Sequence, residues 1–149
     1  MLESMQMGTL DMGIITSGPF VNFSSAMGVL DMPFLFANNE EAYKILDGEI
    51  GKELLGTLED ADLKGLAYAE RGFRNITNSK KPITNAADVA GLKLRVMEND
   101  VYTATFKALG VNAVPMAWSD ALTALQQGTI DGAENNWPCL LYTSPSPRD

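Results

Sequence analysis

The sequence predicts an α/β fold made of two lobes, and two observations support it. First, short apolar stretches typical of buried strands alternate with longer amphipathic stretches typical of helices. Second, one motif occurs twice, as QMGTLDMG at 6–13 and as QQGTIDGA at 126–133. In both copies a glycine that can end a helix precedes Thr, an aliphatic residue and Asp, which can begin a strand. The repeat fits two similar lobes, and simple turn chemistry explains it equally well.

The first half of the chain alternates between predicted helices, strands and loops. Residues 1–7 are typical of a helix that runs into a turn, and residues 12–15 predict a short buried strand that ends in the loop 16–19. Asn38 and Glu41 have the spacing of a capping box for a helix that stops near the next glycine. The pattern then predicts a helix through Ile50, Leu54, Leu55 and Leu58 and a strand at 66–69.

The second half repeats this alternation. Periodicity fades at 71–81, where we expect the chain to cross between lobes. A strand is predicted at 92–97, and Asn99 is a typical N-cap for the helix that Gly110 ends. The remaining predictions are a strand at 111–116 and a helix that is capped by Ser119, directs Leu122 and Leu125 inward and ends at Gly128. Strands alternating with helices in this way are typical of parallel sheets.

Composition argues against nucleic-acid binding and against catalysis. The net charge of −8 is unfavourable for a nucleic-acid partner. The chain has no histidine, and it lacks a nucleophile elbow, a phosphate-binding loop and a credible metal cluster. We therefore expect no enzyme activity, cofactor or metal. No apolar run approaches the roughly 20 residues of a membrane span, so direct membrane insertion is not expected.

Basic residues are concentrated in one segment. Between positions 71 and 95 the chain has six of its eleven basic residues and one acid, Asp88. A cationic segment in an acidic protein can attract an anion. The three lysines are also explained as solvated turn residues, and Arg71 as a surface residue. The six residues are Arg71, Arg74, Lys80, Lys81, Lys93 and Arg95.

Arg95 stands out because it lies in an apolar strand pattern, with Leu94 and Val96 expected on the opposite face. A buried guanidinium needs an acid or a ligand as its partner. Its planar fork matches a carboxylate. Glu98 and Glu134 are the structural alternatives to a ligand.

Trp118 and Asn135 also suit the binding of a small carboxylate. An indole offers a flat apolar wall, although Trp118 is equally explained as a hydrophobic staple on the first turn of a helix. An amide can donate and accept, although Asn135 could merely satisfy turn backbone. Thr16 and Ser17 are candidate contacts because loops after strand ends bind ligands in open α/β sheets.

Five motifs, in this order, resemble the substrate-binding proteins of TRAP transporters. Such proteins are periplasmic receptors with a two-lobed type II fold that deliver organic acids to a sodium-driven membrane permease. The likeness runs from about Gln6 to Trp137. The motifs are LDMPFLF at 30–36, GFRNIT at 72–77, GLKLRV at 91–96, PMAWS at 115–119 and ALQQGTIDGAEN at 124–135.

The resemblance implies a role for each candidate residue. It makes Arg95 the arginine that binds the ligand carboxylate, and it places Arg74 near the ligand as a second arginine. A helix cap or a hinge salt bridge is the alternative role for Arg74. Trp118 corresponds to an aromatic residue that lies against the ligand, and Asn135 to a position that hydrogen-bonds it.

The resemblance also predicts the organisation of the chain. Residues 1–71 are expected to be part of lobe one and 72–138 part of lobe two, so the fold is incomplete at both ends and lacks the family's signal peptide. Residues 139–149 are interpreted as a non-native tail, and Cys139 at its start receives no functional role. The alternative function is a ligand-sensing domain of a regulator or receptor with the same fold.

Overall fold

The computed structural model describes residues 1–137. Contacts divide the chain into two units, Met1–Glu70 and a second unit that begins at Arg71. Helices and strands are both present, so the predicted α/β class is confirmed. No helix in the described part of the chain is long and apolar enough to cross a membrane. The predicted tail at 139–149, with Cys139, lies outside the described residues.

The first unit is built from short helices. It contains α1 (Leu2–Gln6), α2 (Asn39–Leu46) and α3 (Glu49–Gly56), with 3-10 turns at Gly18–Asn22, Ser25–Asp31 and Glu59–Ala61. Its buried core consists of Leu2, Met27, Leu58 and Leu63.

The two strands predicted in this unit are wrong. Residues 12–15 and 66–69 have an irregular backbone, and Met12, Ile14 and Leu66 are 67%, 83% and 72% exposed. A strand requires a hydrogen-bonded neighbour. The described part of this unit contains no strand that could serve as one.

The predicted cap of α2 is confirmed in a modified form. The Asn38 side chain accepts a hydrogen bond from the backbone N–H of Glu41 at 2.9 Å. The Glu41 carboxylate accepts from the N–H of Ala37 at 2.9 Å, rather than from Asn38 as a standard capping box requires. Leu58 was predicted inside the next helix, and it instead follows the end of α3 and lies buried in the core.

The second unit contains a four-stranded sheet. Its strands are β1 (Arg74–Asn78), β2 (Lys93–Val96), β3 (Asn112–Pro115) and β4 (Gly132–Asn136), in the order β1-β4-β2-β3. The β2 strand is parallel to β3 and β4, as predicted, and β1 is antiparallel to β4. The sequence did not predict β1, because RNITN lacks the apolar alternation of a half-buried strand.

Helices α4 (Asp100–Ala108) and α5 (Trp118–Gln126) complete this unit. The predicted cap of α4 is confirmed, because Asn99 accepts from the N–H groups of Val101 and Tyr102 at 2.7 and 3.3 Å. Gly110 follows the end of α4 with φ +77°. The core of the unit consists of Val89, Leu92, Leu94, Val96, Phe106 and Val111.

The predicted start of α5 is wrong. Ala117 occupies the N-cap position, so Ser119 lies inside the helix, where its hydroxyl contacts Asp120 at 3.4 Å. The predicted inward face is also shifted. Ala121 and Ala124 are buried, whereas Leu122 and Leu125 are half-buried.

The repeated motif ends a helix in the same way in both units. Gly8 and Gly128 have φ values of +68° and +66°, the left-handed conformation that glycine adopts without a steric penalty. The amide and hydroxyl of Thr9 and of Thr129 then donate to the carbonyl oxygen five residues earlier, at 2.9–3.1 Å. Only the second copy leads into a strand, β4.

Candidate functional site

Strand topology brings several of the predicted residues to one edge of the second unit's sheet. Arg74 begins β1 and pairs with Asn136 at the end of β4. Arg95 lies near the end of β2, which is parallel to β4. Trp118 follows the end of β3. The carboxyl ends of the three parallel strands therefore meet the start of β1 at this edge.

Arg95 is almost fully buried, with 5% of its surface exposed. Its Nε donates to the carbonyl oxygen of Met116 at 2.8 Å. Its guanidinium carbon lies 5.4 Å from the ring centre of Trp118, within the range of a cation–π contact. Leu94 and Val96 belong to the apolar core, as the alternating pattern predicted.

Glu134 is the acid that the structure places against Arg95. Its Oε1 lies 3.9 Å from Nη1 of Arg95, whereas Glu98, the other acid considered, is exposed. The Oε2 of Glu134 accepts from Nε of Arg74, and the Glu134 backbone oxygen accepts from Nη2 of Arg74 at 3.3 Å. One buried carboxylate therefore joins both arginines.

Burial raises the pKa of the Glu134 carboxyl, because only 1% of the residue is exposed to solvent. The hydrogen bond and charge of Arg74 oppose this rise, as does the charge of Arg95. A buried ion pair of this kind adds little net stability to a fold, because removing both charges from water costs about as much free energy as their attraction returns. Its presence at a sheet edge is typical of a functional site.

Arg74 lies in a strand and pairs with an acid, so it does not have the predicted alternative role of a helix cap. Its guanidinium carbon lies 5.4 Å from the ring centre of Tyr102. Its side chain retains 22% exposure.

Trp118 does not have the position of a hydrophobic staple. A staple residue precedes the N-cap, whereas Trp118 is the first residue of α5. Its half-buried ring instead faces Arg95. Asn135 is 6% exposed within β4, and its side-chain oxygen accepts from the N–H of Asn136 at 2.9 Å. This contact to backbone lies within a strand and not in the turn that the simpler interpretation expected, and the ligand-binding role of Asn135 stays a prediction.

Thr16 and Ser17 belong to the first unit. The Ser17 hydroxyl donates to Oδ1 of Asp31 at 2.6 Å, and Asp31 is 6% exposed. Ser17 also occupies the N-cap position of the turn Gly18–Asn22. Its hydroxyl thus has a structural partner within its own unit, and Thr16 is half-buried.

The sequence analysis did not identify all of the buried polar residues at this edge of the sheet. Asn136 was not singled out, and Glu134 was considered only as a structural partner. Both side chains are buried, and Glu134 Oε1 and Asn136 Oδ1 accept no hydrogen bond from the described residues. The available signal was the run Glu-Asn-Asn directly after Ala133, because polar residues are rare in a fully buried strand.

Other acids in the unit have structural roles. Asp131 accepts from the backbone N–H of Lys93 at 2.8 Å, which fits its predicted place at a strand start. Among residues 1–137, no group of three or more His, Cys, Asp or Glu side chains could hold a metal ion.

Comparisons with known proteins agree on one family. The family model described as "Bacterial extracellular solute-binding protein, family 7", DctP, matches residues 1–144. A protein named "Solute-binding protein" from Verminephrobacter eiseniae is 46% identical over 134 residues, which cover 90% of this chain and 40% of that protein.

Solved structures give the same result. A TRAP periplasmic solute-binding protein from Polaromonas sp. JS666, bound to D-erythronate, is 48% identical with a TM-score of 0.93, and the match covers 96% of this chain and 47% of that one. A second, from Sulfitobacter sp. NAS-14.1 with β-D-galacturonate, is 37% identical with a TM-score of 0.92, and the match covers 96% and 48%. The chain therefore spans about half the length of these proteins or less.

Proposed function

Because the chain belongs to the family 7 bacterial extracellular solute-binding proteins, we propose that it carries the binding site with which a TRAP transporter captures a small organic acid. The captured acid is then delivered to a membrane permease. The observation that carries this proposal is Arg95, a buried guanidinium at the sheet edge beside an aromatic wall, Trp118.

The chemistry of Arg95 suits a carboxylate. Its Nε is engaged by Met116, and this bond fixes the plane of the guanidinium. A fixed guanidinium presents paired donors with the spacing of two carboxylate oxygens. The ligands in the Polaromonas and Sulfitobacter structures, D-erythronate and β-D-galacturonate, are both carboxylates.

Trp118, Asn135 and Arg74 complete the proposed site. Trp118 covers the body of the ligand, Asn135 orients it, and the accessible part of Arg74 adds a second cation. Thr16 and Ser17 are proposed as contacts from the other lobe. In this proposal residues 1–71 and 72–138 are parts of two lobes that close on the ligand by a hinge motion in the periplasm, because the ligand makes contacts in the closed state that the open state lacks.

Binding of acids to the chain tests the proposal. The ¹⁵N-labelled chain would be titrated by NMR to millimolar D-erythronate and D-galacturonate, with the uncharged polyol erythritol as the matched control. The same titration would be repeated on a chimera, in which residues 1–137 replace the matching segment of the Polaromonas protein. We expect the acids to shift second-unit signals saturably and erythritol to leave them unchanged. Absence of acid binding in both formats, or equal binding of erythritol, would contradict the proposal.

A further inference from the structure

The chain contains two bonds between an aspartate and a glycine, Asp47–Gly48 and Asp131–Gly132. Such a bond can rearrange without an enzyme, because glycine has no side chain to hinder the attack of its nitrogen on the aspartate carboxyl group. The attack requires a backbone that can rotate and a carboxyl group that can turn towards the nitrogen. The surroundings of the two bonds therefore decide which of them reacts.

The Asp131–Gly132 bond is held in the sheet. The backbone N–H of Asp131 donates to the carbonyl oxygen of Lys93 at 2.7 Å, and its backbone oxygen accepts from the N–H of Ser79 at 3.0 Å. Its Oδ2 accepts from the N–H of Lys93 at 2.8 Å, and its Oδ1 lies 3.6 Å from Nζ of Lys80. Gly132 is buried in β4, which lies between β1 and β2. Both the backbone and the carboxylate of this bond are therefore fixed.

The Asp47–Gly48 bond instead joins two helices at the surface. Asp47 is exposed and follows the last residue of α2, and Gly48 precedes the first residue of α3. The Gly48 N–H donates to the carbonyl oxygen of Ile45 at 3.2 Å, the long end of the range for such a bond. No hydrogen bond or ion pair within residues 1–137 holds the Asp47 carboxylate. Because helix ends fray, this bond has the freedom that the reaction requires.

We propose that Asp47–Gly48 is a site of spontaneous isomerisation to isoaspartate. The nitrogen of Gly48 gives its proton to water and attacks Cγ of Asp47, whose carboxyl group is protonated. A bond forms between Cγ and the nitrogen, and the carboxyl hydroxyl leaves as water. Water then adds to the cyclic succinimide. Cleavage of the new bond restores aspartate, whereas cleavage of the original peptide bond leaves the chain joined through the Asp47 side chain, with no net change in mass.

The product alters the corner between α2 and α3, because the main chain becomes longer by one carbon atom. This corner has no spare room, since a Cβ at Gly51 in α3 would lie 1.8 Å from the backbone oxygen of Leu46 in α2. The Tyr68 hydroxyl donates to the carbonyl oxygen of Gly51 at 2.9 Å, so a shift of α3 also affects this bond. We expect the amides of α3 to exchange with solvent faster in the isoaspartate form.

Ageing of the unaltered chain at neutral pH and body temperature tests the inference. Trypsin cleaves after Lys44 and Lys52 and so releases residues 45–52 as one peptide. The isoaspartate form of this peptide has an unchanged mass, elutes separately and is labelled by an isoaspartyl methyltransferase. We expect isoaspartate to form at Asp47 at least about tenfold faster than at Asp131, because opening a sheet costs more free energy than fraying a helix end.

Two controls separate the reaction from other changes during ageing. In guanidinium chloride both bonds leave their folded surroundings, and we expect Asp47 and Asp131 to isomerise at similar rates. Asp47→Glu keeps the charge and moves the carboxyl group one methylene further from the nitrogen, which disfavours ring closure. We expect this variant to form no isoaspartate at position 47 and to keep the α3 exchange rates of the fresh chain.

The outcomes decide the inference without reference to ligand binding, so the proposed function is unaffected by any of them. Isoaspartate at Asp47 in the folded chain, formed faster than at Asp131, supports the inference. Its absence at Asp47 from the folded chain, or equal rates at the two aspartates before unfolding, overturns it. Equal exchange of the α3 amides in the aspartate and isoaspartate forms overturns the consequence for the corner.

Discussion

The guanidinium carbon of Arg95 lies 5.4 Å from the ring centre of Trp118, although one residue is in a strand and the other begins a helix. The bond from Arg95 to Met116, two residues before Trp118, holds the strand and the helix start together. The indole face can stabilise the cation, and a guanidinium has the donor geometry that binds a carboxylate. The pair thus supplies a charged donor and an apolar wall at one place.

Replacing Arg95 by Lys should weaken acid binding by roughly 1.5–3 kcal/mol, the scale of a charge-assisted hydrogen bond. Lysine retains the charge and loses both the planar fork and the bond that fixes it. The measurement is calorimetry with D-erythronate on the chain and the chimera. Arg71→Lys is the control, because Arg71 is exposed. An unchanged affinity in a folded Arg95→Lys protein would remove Arg95 from the site.

Trp118 should report ligand binding by fluorescence. Trp137, the other tryptophan, is 55% exposed and must first be replaced by Phe so that the signal comes from Trp118 alone. An acid that binds Arg95 changes the charge and the solvent beside the indole, so we expect a saturable change in emission. Emission that stays constant while calorimetry detects binding would place the ligand away from this ring.

The stability of the second unit should depend on pH through Glu134. Burial raises the pKa of this carboxyl above its ordinary value of 4.5. The folded protein therefore binds a proton at Glu134 more tightly than the unfolded chain does. The stability that this proton contributes is complete below the pKa of the unfolded chain, and it is lost as the pH rises through the pKa of the folded protein. We therefore expect the free energy of unfolding of the parent protein, measured relative to that of Glu134→Gln, to fall as the pH is raised above 4.5.

Urea unfolding followed by tryptophan fluorescence measures this difference, because both tryptophans belong to the second unit. Glu98→Gln, compared with the parent in the same way, controls for the loss of one negative charge. A difference that instead rises with pH would show that the two arginines, rather than burial, decide the pKa of Glu134.

Two glycines should respond differently to substitution by alanine. A Cβ at Gly132 would lie 2.0 Å from the backbone oxygen of Thr77, so Gly132→Ala must push β1 away from β4 and should cost roughly 3 kcal/mol. A Cβ at Gly128 meets no described atom within 4 Å, so Gly128→Ala adds only the strain of φ +66°, about 1 kcal/mol. Equal costs in urea unfolding would contradict the tight pairing of β1 and β4.

Features that depend on neighbouring residues could be predicted from the sequence, whereas the pairing of strands distant in sequence could not. The caps at Asn38 and Asn99 were predictable because each depends on a few neighbouring residues. Strand β1 was missed because its sequence is polar and its partner, β4, lies more than 50 residues further on. The strands predicted at 12–15 and 66–69 failed for the converse reason, since apolar patterning does not supply a hydrogen-bonded neighbour.

The candidate site was readable in part. Arg95 was recognisable because a charged residue between two core residues needs a partner. Trp118 and Asn135 were recognisable because an indole and an amide suit a small carboxylate, and the family resemblance implies the same role for them. The choice of Glu134 over Glu98 as the acid beside Arg95 was not predictable. It depends on the pairing of β2 with β4, which sets Arg95 beside Ala133, the neighbour of Glu134, and which the sequence of either strand alone does not specify.

The most direct test of the central claim is the NMR signal of the Arg95 guanidinium during titration with D-erythronate, assigned by its absence in Arg95→Lys. If Arg95 binds the carboxylate, its Nε–H and Nη–H resonances will shift saturably with the same affinity as the Trp118 emission, while those of Arg71 stay constant. Arg95 resonances that remain unmoved at saturating D-erythronate would contradict the account.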